Sequence, residues 1–100
     1  MLTDSLKNIK VVDFSHIVAG PVCGMLLGDM GADVIKVEPL GGELGRAIGP
    51  PWLQRQSVTS LSVNRNKRGI ALDLKSDDGR MVALALMRDA DVVIESFRPG

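Results

Sequence analysis

Chemistry-bearing residues concentrate in a short segment near the N-terminus, residues 15–21 (SHIVAGP). The segment stands between a predicted strand and the start of a predicted helix. Because a helix N-terminus presents unbonded N–H groups and the positive end of its dipole, such a segment attracts anions. Ala19 has a small side chain and Gly20 has none, so a ligand could approach the backbone at these residues. Spacing alone favours the alternative, a tight connection in which Gly20 and Pro21 only end one element and begin the next.

A second candidate is a basic stretch, residues 44–72, which contains no acidic residue. Its cations are Arg46, Arg55, Arg65, Lys67 and Arg68. In a chain with 12 basic and 12 acidic residues, this segregation favours an anionic ligand with several phosphates, bound by guanidinium forks and ammonium groups. The alternative is a solvated basic loop.

Other reactive residues are few. The single histidine, His16, could serve as a hydrogen-bond donor or general base, or be structural. The single cysteine, Cys23, permits no internal disulfide and is interpreted as a packing residue. Asp13 and Asp73 lie at or near strand ends and are interpreted as hydrogen-bonding nearby backbone. No Gly-x-Gly-x-x-Gly motif is present, although Glu38 lies where a ribose-binding acid would follow the second strand.

Composition excludes several classes. The chain has 100 residues, 45% of them hydrophobic, and a net charge of zero, which is typical of one ordinary domain or a piece of a larger protein. We expect no nucleic-acid partner and no membrane partner. The longest apolar run, residues 81–87, is far shorter than the roughly 20 residues that span a bilayer. With no signal-type stretch, the sequence predicts a cytoplasmic protein.

Hydrophobic patterning predicts the elements that position these residues. Residues 9–14 and 33–37 are predicted strands, separated by a helix that has Pro21 near its start and Gly31 at its end. A long loop is predicted from residue 38 to about residue 60, because glycines and prolines interrupt every period. Strands are then predicted at 69–74 and 92–94, with a helix between them.

Two strand-helix-strand units in tandem predict an α/β fold with an open, mostly parallel sheet and flanking helices. Ligands of such sheets gather at the carboxyl ends of the strands. Ser76 is the predicted N-cap of the second helix, followed by acids that suit the helix dipole. Since only two helices are predicted to cover the sheet, we expect a fragment or a domain completed by another chain.

Four segments together resemble the start of the class III coenzyme A transferases, the family that also contains carnitine-CoA and formyl-CoA transferases and α-methylacyl-CoA racemase. The segments are residues 11–21 (VVDFSHIVAGP), 27–39 (LGDMGADVIKVEP), 64–75 (NRNKRGIALDLK) and 91–100 (DVVIESFRPG). The resemblance runs in register from about residue 6 to residue 100. It favours the ligand-binding interpretations of the first segment and of the basic stretch.

The resemblance implies a Rossmann-like, coenzyme-A-binding large domain, of which residues 1–100 would be the N-terminal part. It also implies a smaller second domain and a homodimer of interlocked subunits. Transferases of the family use an aspartate nucleophile, and racemases a histidine and aspartate pair, that lie beyond residue 100. The predicted function is therefore transfer of coenzyme A between carboxylic acids, with no catalytic residue in this chain, which alone is expected to be inactive. Acyl-CoA and carboxylic acids are the implied substrates, with no tightly bound cofactor and no metal. The alternatives are an acyl-CoA racemase or a non-catalytic nucleotide-binding module.

Matching positions give the predicted coenzyme-binding residues. Ile17, Val18 and Ala19 match a loop along the coenzyme, Leu72 and Lys75 match the adenine and phosphate end, and Ser96 and Phe97 match a strand tip beside pantetheine and adenine. His16, Arg68 and Arg98 complete the set, Arg98 on charge alone. Formyl-CoA transferases that act on oxalate have glutamine in place of Val18 and a basic residue in place of Pro39, so oxalate is disfavoured and a bulkier or more apolar acyl group is favoured.

Overall fold

The computed structural model describes residues 4–42, 44–49, 52–53 and 56–97. Six strands and three α-helices are found in these ranges, together with a 3-10 helix at Leu44–Ala47. The elements in chain order are β1 (Lys10–Asp13), α1 (Ala19–Asp29), β2 (Asp33–Glu38), β3 (Trp52–Leu53), β4 (Gln56–Ser57), α2 (Val58–Val63), β5 (Lys67–Ala71), α3 (Asp77–Arg88) and β6 (Val92–Ile94).

Four strands form one parallel sheet in the order β5-β2-β1-β6. Val12 of β1 aligns with Ile35 of β2 on one side and with Val93 of β6 on the other. From β1 the sheet extends through β2 and β5 in one direction and through β6 in the other. The predicted α/β class and parallel sheet are confirmed, and the point where the strand order reverses lies between β1 and β6.

Strand alternation directs the hydrophobic side chains to two faces. On one face, under α1, Val11 and Val34 are buried with Ala32. On the other face, Val12, Phe14 and Val37 are buried with an alanine of α3. The sheet is thus covered on both faces by helices, as a parallel sheet requires.

Helix boundaries follow the predicted signals. Helix α1 ends at Asp29, and Gly31 after it has a φ of 100°, a conformation that glycine adopts at low cost. Ser76 is the N-cap of α3, since its hydroxyl oxygen accepts the N–H of Gly79 at 3.0 Å. None of the described helices is long and apolar enough to cross a membrane.

Two predictions about the middle of the chain were wrong. The expected loop from residue 38 to about 60 contains the 3-10 helix, the short β3–β4 hairpin and the start of α2. The hydroxyl of Ser57 donates to the carbonyl oxygen of Ile48, and Val63 is buried, so tertiary packing orders a segment of low local periodicity. The chain consequently has a third α-helix where two were expected.

The third long strand also begins earlier than predicted, at Lys67 instead of residue 69. Lys67 pairs with Val34 of β2, and the strand ends at Ala71 opposite Glu38. The first residues of this strand are charged, so the hydrophobic pattern of the sequence did not indicate where the strand begins. In the structure their side chains form ion pairs with carboxylates of the chain. One further hydrogen bond, from the N–H of Leu72 to the carbonyl oxygen of Glu38, carries the pairing past the strand end.

Candidate coenzyme site

A cleft of about 590 Å³ lies at the carboxyl ends of the sheet strands. Its walls come from segments that follow β1, β2, β5 and β6. The lining residues are Phe14, His16, Val37, Glu38, Pro39, Leu40, Leu72, Asp73, Leu74, Lys75 and Phe97. This is the edge at which open parallel sheets bind ligands, so the cleft is the candidate functional site.

His16 and Phe97 meet at the reversal point of the sheet, one after β1 and one after β6. Their ring centroids are 6.5 Å apart, and the ring of Phe97 lies 6.3 Å from that of Phe14. The N–H of His16 donates to the hydroxyl oxygen of Ser96 at 3.4 Å. The structure therefore brings three predicted site residues together, and Phe97 and His16 line the cleft itself.

Leu72 and Lys75 form the opposite wall, after β5. The carboxylate of Asp73 accepts the N–H of Lys75 at 3.0 Å, which fixes the turn that leads into α3. Lys75 is exposed, and it is the only lysine or arginine among the described residues that line the cleft. This wall thus combines apolar surface with one cation at the rim.

The loop between β1 and α1 lies beside the cleft. Ile17 has a φ of 72°, a left-handed conformation that β-branched residues rarely adopt. Val18 is the N-cap residue of α1 without a side-chain capping bond, and its side chain is exposed. Ile17, Val18 and Ala19 are not among the lining residues, so their predicted contact with the coenzyme would be made from the loop above the cleft.

A buried ion pair lies beneath this loop. Lys67 Nζ is 2.8 Å from Asp13 Oδ2, and the two side chains are 2% and 0% exposed. Lys67 also donates to the carbonyl oxygen of Pro21 and to the side chain of Asn64, both at 2.9 Å. The other Asp13 oxygen accepts the N–H of Ser15 at 2.8 Å and the Ser15 hydroxyl. The interpretation of Asp13 as a backbone-bonding residue is confirmed, but its ion pair was not foreseen.

The remaining described cations of the basic stretch also pair with carboxylates of the chain. Arg65 binds Asp29, Arg68 binds Asp33, and Arg46 binds Glu38 on the cleft wall. The hydrogen bonds from Arg65, assisted by one from Asn66, hold the pKa of Asp29 below its ordinary value of 3.8. The same contact raises the pKa of Arg65.

Arg68 does not reach the cleft in this structure. Its guanidinium contacts Asp33 at 2.7 Å, and Asp33 is the first residue of β2, at the amino end of the sheet. Binding of coenzyme by Arg68 stays a prediction that the geometry does not favour. Arg98 and Arg55 lie outside the described residues.

Sequence reasoning missed part of the cleft wall. Pro39 and Leu40 line it after β2, and Leu74 lines it after β5, beside Glu38 at the end of β2, which the sequence had indicated. The signal was available, because each follows a strand whose carboxyl end faces the same edge. Glu38 stands at the position of a ribose-binding acid, but Arg46 contacts both of its carboxylate oxygens, so a ribose hydroxyl would compete with an ion pair. The described residues contain no group of three or more His, Cys, Asp or Glu side chains placed to hold a metal ion.

Comparison with known proteins adds an independent observation. The sequence profile of CoA-transferase family III matches residues 6–100. The chain is 44% identical over 96 residues to the beta subunit of succinyl-CoA–L-malate CoA-transferase from Chloroflexus aurantiacus, covering 95% of this chain and 24% of that protein. It is 46% identical over 100 residues to succinate–glutarate CoA-transferase from Agrobacterium fabrum, covering 93% of this chain and 25% of that protein.

Solved structures agree with these matches. A CAIB/BAIF family protein from Brucella suis superposes with a TM-score of 0.89 at 41% identity, over 93% of this chain and 26% of that one. The chain therefore spans about a quarter of the length of the proteins it matches.

Proposed function

This chain is a member of CoA-transferase family III, and from that membership we propose that its cleft binds the coenzyme A part of an acyl-CoA in an enzyme that transfers coenzyme A between carboxylic acids. The observation that carries the proposal is the position of the cleft. It lies at the carboxyl ends of a parallel sheet beside the point where the strand order reverses. Residues 1–100 would form the N-terminal part of the coenzyme-binding domain.

The chemistry of the walls suits coenzyme A. Phe14, Leu72, Leu74 and Phe97 offer apolar and aromatic surface to the adenine ring and the pantetheine chain. Lys75 offers an exposed ammonium group to a phosphate at the rim. We place these contacts on one bound molecule that reaches from Lys75 across the cleft to His16.

The reacting thioester would then lie near the loop that contains Ile17, Val18 and Ala19. An aspartate outside residues 1–100 would attack the thioester carbonyl, with coenzyme A leaving as the thiolate and a mixed anhydride forming. The thiolate would next attack the aspartyl carbonyl and release the first acid, leaving coenzyme A on the enzyme as a thioester. The acceptor carboxylate would then attack the aspartyl thioester and release the coenzyme A thiolate, forming a second mixed anhydride. The thiolate would attack the acceptor carbonyl of that anhydride, which gives the new acyl-CoA and frees the aspartate.

Relatives suggest the substrate class. Relatives similar to the chain carry succinyl-CoA, malate, mesaconate, succinate or glutarate in their names, and others at 42% identity carry formyl-CoA and oxalate. We propose a donor and an acceptor among dicarboxylic acids of this size, larger than oxalate. The apolar Val18, 44% exposed beside the cleft, would contact the methylene groups that succinate and glutarate have and oxalate lacks, which supports the larger acids. We further propose that the enzyme is a cytoplasmic homodimer of interlocked subunits.

The test is calorimetric titration of coenzyme A into the protein expressed from its complete reading frame. We expect binding, and we expect Lys75→Ala to weaken it about two- to fivefold at low salt, the range of a partly screened ion contact. Lys7→Ala is the matched control, because Lys7 is an exposed lysine outside the cleft. The salt dependence of binding should be flatter in Lys75→Ala than in Lys7→Ala.

The reaction is tested separately with succinyl-CoA and isotopically labelled acids. Transfer predicts that label from the free acid enters the thioester. Exchange of the α-proton of an acyl-CoA with deuterated water, without movement of coenzyme A between acids, would indicate the racemase alternative. Binding of coenzyme A with neither reaction would indicate a non-catalytic binding module.

A further inference from the structure

We propose that Asp13 and Lys67 are positioning residues for the loop at residues 15–18. They hold this loop in the conformation that binds the coenzyme. The inference rests on the proposed function of the cleft. Neither side chain lines the cleft, so any effect on coenzyme binding must be transmitted through the loop.

The ion pair ties together the two ends of the connection between β1 and α1. Asp13 is the last residue of β1, and Lys67 Nζ contacts both its carboxylate and the carbonyl oxygen of Pro21 in the first turn of α1. Asn64 accepts a third bond from the same ammonium group. One buried cation therefore fixes where the loop leaves the sheet and where it enters the helix.

Ser15, the first residue of the loop, is held by hydrogen bonds from both sides. Its N–H and its hydroxyl donate to the second oxygen of Asp13, and its carbonyl oxygen accepts Lys36 Nζ at 3.4 Å. Ser15 and Lys36 are themselves buried, at 1% and 2% exposure. Both backbone polar groups of Ser15 are thus held, and the next residue, His16, begins the cleft wall.

The conformation of Ile17 shows that the loop is constrained. A left-handed β-branched residue is unfavourable and persists only where its surroundings determine the backbone. The Asp13 network lies directly before this turn in the chain, and the Pro21 contact lies after it. Replacing a buried ion pair with apolar residues is often neutral for stability, so stability alone is a weak account of this one.

The experiment compares coenzyme binding with stability in the full-length protein. Asp13→Asn keeps the side-chain shape but removes the charge that holds Lys67 and Ser15. Asp29→Asn is the matched control, because it removes the carboxylate of an exposed ion pair outside the cleft. We expect about a tenfold or greater rise in the coenzyme A dissociation constant for Asp13→Asn, typical of small misplacement in a binding site, and no change for Asp29→Asn.

Two further variants separate positioning from folding. Ser15→Ala removes one buried donor to Asp13 and leaves the ion pair, and we expect a several-fold loss of affinity with a smaller fall in melting temperature than in Asp13→Asn. The combination Asp13→Asn with Lys67→Met removes both buried charges, and we expect it to recover stability relative to Asp13→Asn but not affinity. In steady-state assays the loss should fall on KM for the acyl-CoA more than on kcat.

Each outcome has a defined meaning. Unchanged affinity in Ser15→Ala and in the combined variant would overturn the positioning role while leaving the proposed function in place. Recovery of affinity together with stability in the combined variant would also overturn it, because the pair would then be structural only. Failure of the wild-type protein to bind coenzyme A would overturn the proposed function, and the positioning role with it.

Discussion

Replacing Gly24 with alanine should test how tightly α1 is packed on the buried ion pair. Gly24 lies in the middle of α1, directly over Asp13 and Lys67. An added Cβ would lie 2.7 Å from Asp13 Oδ2, 3.2 Å from Lys67 Cε and 3.3 Å from Lys67 Nζ. Because both side chains are buried and hydrogen-bonded, neither can turn away into solvent.

Two opposing effects set the magnitude. Alanine is favoured over glycine in a helix interior by about 1 kcal/mol. Moving α1 or the ion pair to admit the methyl group is an overpacking change, which typically costs about 1–3 kcal/mol. Since the nearest contact needs a shift of about 0.7 Å in a close-packed interior, we expect overpacking to prevail, with a net loss of about 1–2 kcal/mol in the free energy of unfolding.

Thermal melting of the full-length protein is the assay, with an expected fall of about 2–8 °C. Gly69→Ala is the control, because an added Cβ there meets no heavy atom within 4 Å, and we expect a neutral or slightly stabilising effect. In the background of Asp13→Ala with Lys67→Met the 2.7 Å contact with Asp13 Oδ2 is gone and only the flexible end of the side chain at residue 67 remains near the added Cβ, so Gly24→Ala should cost less than it does in the wild type. The reasoning would be refuted if Gly24→Ala melted at or above the temperature of Gly69→Ala.

Three further predictions concern caps, pH and the cleft. Ser76→Ala should lower the free energy of unfolding by about 0.5–2 kcal/mol, because Gly79 loses its capping oxygen, whereas Ser76→Asp should retain most of it; equal losses in melting experiments would contradict the capping role. Arg65 lowers the pKa of Asp29, so this pair stabilises the folded state above pH 3.8 and the contribution disappears as pH falls through the lowered pKa. Denaturant titrations should therefore show Asp29→Asn to be less stable than wild type at neutral pH, with the difference shrinking as pH falls through the lowered pKa, and a difference that does not shrink in acid would disprove the assignment. Phe97→Ala should weaken coenzyme A binding about fivefold or more in calorimetry, since base-aromatic stacking is a substantial contact, and should leave melting little changed because the ring is 52% exposed.

Elements with strong local signals were predictable from the sequence. The strands β1, β2 and β6 were indicated by short apolar runs, and the helices α1 and α3 by an apolar stripe with a terminating glycine or an N-cap; their expected positions agree with the structure to within a few residues. The loop predicted for residues 38 to 60 was wrong, because the short elements in this segment are ordered by tertiary contacts. The hydrogen bond from Ser57 to Ile48 is one such contact, and nothing in the local pattern indicates it.

For the candidate site, too, some features could be predicted from the sequence and others could not. Lys75 and Phe97 could be placed at the cleft because each follows a predicted strand and parallel topology brings strand ends together, whereas Leu72 was indicated by the family resemblance. The ion pairs formed by Lys67 and Arg68 of the basic stretch could not be predicted, because the carboxylates that they contact lie far away in the sequence. Lys67 contacts an acid 54 residues away and Arg68 one 35 residues away.

Three ion pairs of the basic stretch join segments that lie on either side of the β3–β4 hairpin in the sequence, and this arrangement limits how related proteins could exchange segments. The carboxylates Asp13, Asp29 and Asp33 all precede the β3–β4 hairpin, and their partners Lys67, Arg65 and Arg68 all follow it. A chimera that joins the first 50 residues of this chain to the later residues of a relative is expected to fold poorly unless the relative supplies a cation at the position of Lys67, whereas the two exposed pairs contribute little. The buried pair would be the strictest requirement, because an unmatched charge there has no access to solvent. Gene-shuffling libraries cut within the hairpin should therefore yield folded members mainly from parents that share this charge pattern.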